Sequence, residues 1–171
     1  SQGLPEDDRN KTVIQRYEAN RLRVLPQLRY SLDKADEVDL AFFINGIPVA
    51  TVELKTDFTQ SVEAAMQQYR MDRKPERKSG GLEPLLTFRR GAVVHFAMSD
   101  SDIRMTTKLA GDSTFFLPFN RGNDGAAGNP PGDNNSYPVS YFWERVLHKD
   151  NWLHIFHRFV LQNRKEAQDV N

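Results

Sequence analysis

Glu53 and Lys55 stand two positions apart at the end of the stretch PVATVELK, Pro48 to Lys55. Side chains alternate between faces in an extended chain, so Ala50, Val52 and Leu54 point one way and Thr51, Glu53 and Lys55 the other. An acid and a base therefore project side by side from an otherwise apolar strand. That pairing suits phosphodiester hydrolysis. Mg2+ is a hard cation that takes one or two protein carboxylates while keeping waters and phosphate oxygens. The metal polarises the phosphate and lowers the pKa of a bound water, and a neighbouring ammonium orients the nucleophile and offsets developing charge. A second carboxylate is needed, and Asp39 on the preceding strand can supply it. The bland alternative is a solvated face of cross-strand charges. A second Glu-x-Lys pair, Glu76 and Lys78, falls in a loop.

Whether Asp39 and Glu53 can meet depends on a hairpin. Glu37 to Ile44 and Pro48 to Lys55 read as strands on either side of Asn45-Gly46, the strongest short-range hairpin signal. A strict two-residue loop sets Ile44 opposite Ile47 and Asp39 opposite Val52, which leaves Asp39 and Glu53 on opposite faces. A three-residue loop Asn45-Gly46-Ile47, or an equivalent bulge, sets Asp39 opposite Glu53. The expectation is the three-residue loop or its equivalent.

The surrounding elements follow from periodicity. Arg9 to Arg21 reads as a short helix with Val13, Ile14 and Tyr17 on one side. Arg23 to Ser31 alternates as a strand, and Pro26 assigns it to a sheet edge. Val62, Ala65, Met66 and Tyr69 form a narrow apolar stripe on a helix that Pro75 stops near Arg73. Asp57 with Gln60 resembles a capping box for it, with Thr59 and Ser61 as competing caps. Ala92 to Met98 reads as a buried strand and Ile103 to Leu109 as another. Gly122 to Ser136 is a loop with four glycines, two prolines, four asparagines and two aspartates. Ser140 to Leu147 and the segment holding Trp152, Ile155, Phe156, Phe159 and Val160 read as helices. The order predicts an α/β (α+β) fold, a mixed β-sheet flanked by helices, in a single domain over 1–171. Its core runs about 11–110, with a loop at 122–136 and C-terminal helices at 138–163.

Composition sets outer limits. The chain has 171 residues, long enough for one domain with a real core, and Lys plus Arg equals Asp plus Glu at 23 each. A domain gripping DNA by itself is usually basic, so any grip on DNA is expected to come largely from elsewhere. Arg70, Arg73, Lys74, Arg77, Lys78, Arg89 and Arg90 form the concentrated basic region; they could track DNA phosphates or face solvent as an exposed loop. There is no cysteine, which excludes disulfides and thiolate metal sites and suits a cytoplasmic location. No apolar run has the length of a membrane span. The first residue is Ser1, and a piece of a larger protein is expected. His154 and His157 have the spacing of metal ligands on a helix, but no carboxylate lies one turn away and packing is the better reading.

VDLAFFINGIPVATVELKTDFTQSVEAAMQQYRMDRKP resembles the nuclease region of the restriction (R) subunit of type I restriction-modification enzymes, a branch of the PD-(D/E)xK nuclease superfamily. The similarity continues through RRGAVVHFAMSD, MTTKLAG, TFFLPFNRG, GNPPG, SYFWERVL and LHIFHRFV, from about Arg21 onward. The resemblance implies a restriction-endonuclease-like core and a Mg2+-dependent endonuclease acting on double-stranded DNA without reading its sequence. By position it makes Asp39 and Glu53 the metal ligands, with the backbone carbonyl of Leu54 beside them, and Lys55 the catalytic lysine. Relatives carry a Gln-x-x-x-Tyr motif in the following helix. Here Ala65 occupies its glutamine position, so Gln67 and Tyr69 are the site-adjacent candidates, although Tyr69 falls inside the apolar stripe, where a core residue belongs. Glu18 is a candidate for the helix-borne acid of some superfamily members, against the reading of a solvated helix residue.

The resemblance also implies partners: methylase and specificity subunits, and ATP-driven motor domains. No Gly-x-x-x-x-Gly-Lys-Ser/Thr phosphate loop occurs here, so no ATP binding is expected of this chain. Two other readings stay open. One is a catalytically silent, nuclease-like docking module, and the other is a different member of the same nuclease superfamily.

Overall fold

The computed structural model describes residues 10–58, 60–133 and 136–157. The chain divides into two compact units, one of Arg23–Ser140 and one formed by the two ends, Ser1–Leu22 with Tyr141–Asn171. Among the described residues, no helix is long and apolar enough to cross a membrane.

The larger unit is built on a six-stranded mixed sheet in the order β1-β2-β3-β4-β5-β6. Its strands are β1 (Leu22–Arg29), β2 (Glu37–Ile44), β3 (Ile47–Leu54), β4 (Val94–Met98), β5 (Ile103–Thr106) and β6 (Leu117–Pro118). β3 runs antiparallel to β2 and parallel to β4; β4–β5 and β5–β6 are antiparallel. This is the α/β, restriction-endonuclease-like core expected from the sequence. β1 holds Pro26 and lies at a sheet edge, where a missing N–H disturbs no ladder. The two-residue strand β6 went unread in the sequence, since so short a segment carries no periodicity.

The β2–β3 hairpin corrects one expectation and meets its alternative. The loop is the two-residue one: Ile44 faces Ile47, with Asn45 at φ 53° and Gly46 at φ 82°. Paired positive φ values give a turn whose twist matches that of the strands. The register then shifts: Phe43 faces Pro48 but Phe42 faces Ala50, leaving Val49 as the extra residue of a bulge. Beyond it Ala41 faces Thr51 and Leu40 faces Val52. One more step along the same register sets Asp39 opposite Glu53.

A parallel pair needs a crossover, and α2 (Val62–Met71) lies within the one joining β3 to β4. Val62, Ala65 and Tyr69 of its predicted stripe are buried, with Met66 half-buried, in a cluster containing Ala41, Leu86, Ala97 and Phe116. Full burial of a side chain such as Val62 stabilises by roughly 1.5–3 kcal/mol. The predicted capping box does not form. Ser61 occupies the cap position without a side-chain hydrogen bond, and Gln60 donates its N–H to the Thr56 carbonyl in the turn before. At the other end the N–H groups of Asp72 and Arg73 both reach the Gln68 carbonyl, and Pro75 follows.

In the unit formed by the chain ends, α1 (Lys11–Glu18) is shorter than the predicted Arg9 to Arg21. Its start is fixed by Asn10, whose side chain accepts from Thr12 N at 3.1 Å and Val13 N at 3.3 Å. The predicted helix over Ser140 to Leu147 is instead a single π-helical turn, Phe142–Val146. A helix follows over 149–157, with Trp152, Leu153 and Phe156 buried and the rings of Trp152 and Phe156 edge to face at 4.6 Å. Phe159 and Val160 lie outside the described residues.

Candidate functional site

Thr51 and Glu53 are wholly buried on the face of β3 that α2 covers, and Lys55 follows half-buried just past the strand end. Lys55 N donates to Met98 O of β4 at 2.9 Å. In a trans peptide the C=O points opposite to the next N–H, so the Leu54 carbonyl is directed away from β4, toward β2. On that side Asp39 accepts a hydrogen bond from Leu54 N at 2.7 Å. Its carboxylate thus takes a donor that a further ladder carbonyl would otherwise take. Asp39, Glu53 and the Leu54 carbonyl are gathered at one end of one strand pair, and Lys55 adjoins them. The Lys55 ammonium has no ion pair among the described residues.

Glu53 divides its carboxylate between two surroundings. Oε1 accepts from Arg73 Nε at 2.6 Å, while Oε2 is buried and has no hydrogen-bond partner among the described residues. Burial pushes the Glu53 carboxyl up to about 7 against the downward pull of Arg73; Asp39 adds to the rise and Lys55 opposes it. An acceptor oxygen left bare in a protein interior is unusual and calls for a donor or a cation. The set fits a hard divalent ion, since every candidate ligand is an oxygen. Among the described residues no cluster of three or more acidic or histidine side chains could hold a metal, so such an ion would rest on two carboxylates, the carbonyl and water.

The other candidates fall in different places. Tyr69 is fully buried, its Oη 2.8 Å from Thr51 Oγ1, and belongs to the core, not to a DNA-facing surface. Gln67 and Lys74 are exposed. Arg70 donates to the Thr114 carbonyl at 3.3 Å and stacks over Phe116, tying α2 to the segment before β6. Arg73, read as part of a basic surface, is 7% exposed and turns inward to Glu53. One signal could have revealed it: it lies four residues beyond Tyr69, on the continuation of the apolar stripe. Glu18 and His154 are exposed, in the unit formed by the chain ends.

Three side chains were not singled out from the sequence. His95 of β4 is buried, with Nδ1 2.7 Å from Thr51 Oγ1, and burial lowers its pKa to about 3. The FLPFNRG and GNP segments act through Asn120 and Asn129. Asn120 accepts from Ile103 N at 3.0 Å and donates to Asp102 at 2.7 Å, while Asn129 donates to Ser101 O at 2.9 Å and to Asn120 at 2.8 Å. Together they pin the β4–β5 turn. Asp100 of that turn accepts from Asp57 N at 3.1 Å, anchoring the segment that leaves Lys55.

Residues 6–114 match the family described as the type I restriction enzyme R protein N terminus. No curated protein and no solved structure matches the chain.

Proposed function

From the chain's membership of the family of type I restriction enzyme R protein N termini, we propose that the Asp39–Glu53 end of its sheet is a Mg2+-dependent endonuclease site acting on double-stranded DNA. The observation that carries this reading is the buried Oε2 of Glu53, unpartnered among the described residues, beside a second carboxylate across the hairpin. Asp39, Glu53 and the Leu54 carbonyl hold the metal. When bound, the ion polarises the phosphate and makes a bound water a stronger nucleophile at neutral pH. Lys55 supplies an ammonium that orients the attacking water and offsets charge growing on the phosphate. Exposed Lys74 and Lys78 offer contacts to the DNA backbone, which carry affinity without sequence information. With no net charge, the chain leaves most of the hold on DNA, and the choice of target, to other parts of the enzyme. Those parts are the motor domains, which consume ATP, and the methylase and specificity subunits.

The test uses the reconstituted restriction enzyme. Asp39→Ala, Glu53→Ala and Lys55→Ala should each abolish DNA cleavage and leave its ATPase intact. Cleavage that survives changes at both Glu53 and Lys55 ends this reading.

A second reading, a silent docking module, draws on one observation: Arg73 already neutralises Glu53. Titration with Mn2+ separates the two. Specific binding that disappears in Asp39→Asn supports the nuclease, and absence of binding in the unaltered chain supports the docking module.

A further inference from the structure

We infer that Arg73 is a positioning residue, a buried clamp that fixes the Glu53 carboxylate so that Oε2 is presented to the metal. This inference rests on reading Asp39 and Glu53 as a metal pair.

Three contacts hold the guanidinium. Nε donates to Glu53 Oε1 at 2.6 Å, Nη2 donates to the Glu37 carbonyl at 2.6 Å, and Cζ lies over the Tyr30 ring, 5.9 Å from its centroid. Its backbone is fixed as well, through the bond from Arg73 N to Gln68 O just past the end of α2. Arg73 therefore joins α2 to β2, to β3 and to the residue following β1. A helix C-terminus carries partial negative charge, which favours a cation at that position. The fork of donors on a planar group is what allows one residue to hold a carboxylate and a carbonyl together. Lysine, a compact point charge, cannot reproduce it. At 7% exposure the group cannot serve as a contact to DNA phosphates.

Two effects of Arg73 on a bound dication oppose each other. Its charge repels the ion. Against that, without it neither oxygen of the buried Glu53 carboxyl would be bonded, and holding a negative charge there would be strongly disfavoured. The clamp removes that obstacle in advance and restricts the carboxylate to one orientation. Outer partners of metal ligands typically contribute about 10–100-fold to metal affinity. The support outweighs the repulsion because the ion's charge is partly screened by its own waters and ligands, whereas a ligand oxygen without a fixed direction must be ordered on binding.

The experiment is calorimetric titration of the 171-residue chain with Mn2+, with folding checked by circular dichroism and Tm, for the unaltered protein, Asp39→Asn, Arg73→Met and Arg73→Lys. Arg73→Met should weaken Mn2+ binding by about 10–100-fold, and Arg73→Lys should fall between it and the unaltered chain. A purely structural arginine would lower Tm and leave the affinity of the folded protein unchanged. An arginine that merely competes for Glu53 would give tighter binding on removal. Either result overturns the inference, and Arg73→Lys decides it if Arg73→Met does not fold. Loss of binding in Asp39→Asn with unchanged binding in both Arg73 variants defeats the clamp alone. Absence of Mn2+ binding in the unaltered chain defeats the metal site and the clamp with it.

Discussion

The hydroxyl of Tyr69 lies 2.8 Å from that of Thr51, which itself lies 2.7 Å from Nδ1 of His95. A tyrosine from the crossover helix and a histidine from the neighbouring strand thus converge on one threonine two residues before Glu53. All three side chains are buried, and Tyr69 Oη, Thr51 Oγ1 and His95 Nδ1 are bonded within the group.

Tyr69→Phe removes one hydroxyl from this group and leaves Thr51 bonded to His95. A net hydrogen bond in a protein interior contributes about 0.5–1.5 kcal/mol. Stability should fall by that amount in a urea melt, with Mn2+ affinity unchanged, the expectation for a hydroxyl that touches neither carboxylate. A selective loss of metal binding or cleavage at unchanged stability would instead assign Tyr69 to the site.

His95 predicts the pH dependence. Burial lowers its pKa from 6.5 to about 3, so between those values the unfolded chain binds more protons than the folded one. Its contribution to stability is therefore fully present above pH 6.5 and is lost as pH falls toward 3. Glu53 acts in the opposite sense. Its pKa rises from 4.5 to about 7, so its contribution declines as pH climbs through that window. The two partly cancel between 4.5 and 6.5, and the net slope should be steepest below 4.5, where His95 acts against no such opposition. Urea midpoints measured from pH 3 to 8 check this, and His95→Gln should flatten the acid limb.

Deletion of Val49 should leave the two carboxylates in register. Val49 is the extra residue of the bulge, so without it the ladder from Ile44 and Ile47 runs unbroken to Asp39 opposite Glu53. The deletion should lower stability, because the buried Val49 side chain and the bond from Val93 N to its carbonyl are lost, yet Mn2+ binding should survive. Insertion of an alanine after Ala50 should instead set Asp39 opposite Val52, on the other face from Glu53, and abolish binding. Mn2+ titration of the two folded variants checks this, and loss of binding in the deletion alone would contradict the register.

Gly46 and Gly91 predict contrasting penalties for the same substitution. Gly46 has φ 82° with open space around it, so Gly46→Ala suffers only backbone strain, about 1–2 kcal/mol. At Gly91 a Cβ would overlap the carbonyl oxygens of Leu85 and Pro84, both backbone atoms. Gly91→Ala should therefore be the more destabilising, or fail to fold, as thermal melts of the two variants would register. Equal losses would contradict the packing at the entrance to β4.

Much of the fold could be read from residue types because local signals agreed with one another. Asn45-Gly46 marked the turn, Pro26 the sheet edge, and the stripe from Val62 to Tyr69 the buried face of α2. The bulge was legible only as a requirement. Val49 is one apolar residue in an apolar run, and nothing about it marks it as the extra one. The candidate site was legible where it depended on alternation along β3, which set Glu53 and Lys55 two positions apart. It was not legible where it depended on a partner distant in the chain. Arg73 lies in a run of basic residues whose composition suggests a surface, and only the turn of the helix shows that this one faces inward. Asn10 was missed for a related reason: a cap is a matter of backbone angle at a single residue, and asparagine is common in ordinary loops.

The parallel pairing of β3 with β4 has a consequence for the order in which the chain assembles. The two carboxylates belong to one hairpin closed by two residues, a structure that forms on the order of 1–10 microseconds. Arg73 and His95 arrive only with the crossover, whose loop-closure entropy must be overcome before its contacts reward it. Substitutions at Phe42 should accordingly slow refolding, and those at Val62 should chiefly quicken unfolding, a division that stopped-flow chevrons would reveal or reverse. Asp39 and Glu53 thus become neighbours while both are still hydrated, and the helix that dries one of them brings its counter-charge in the same motion.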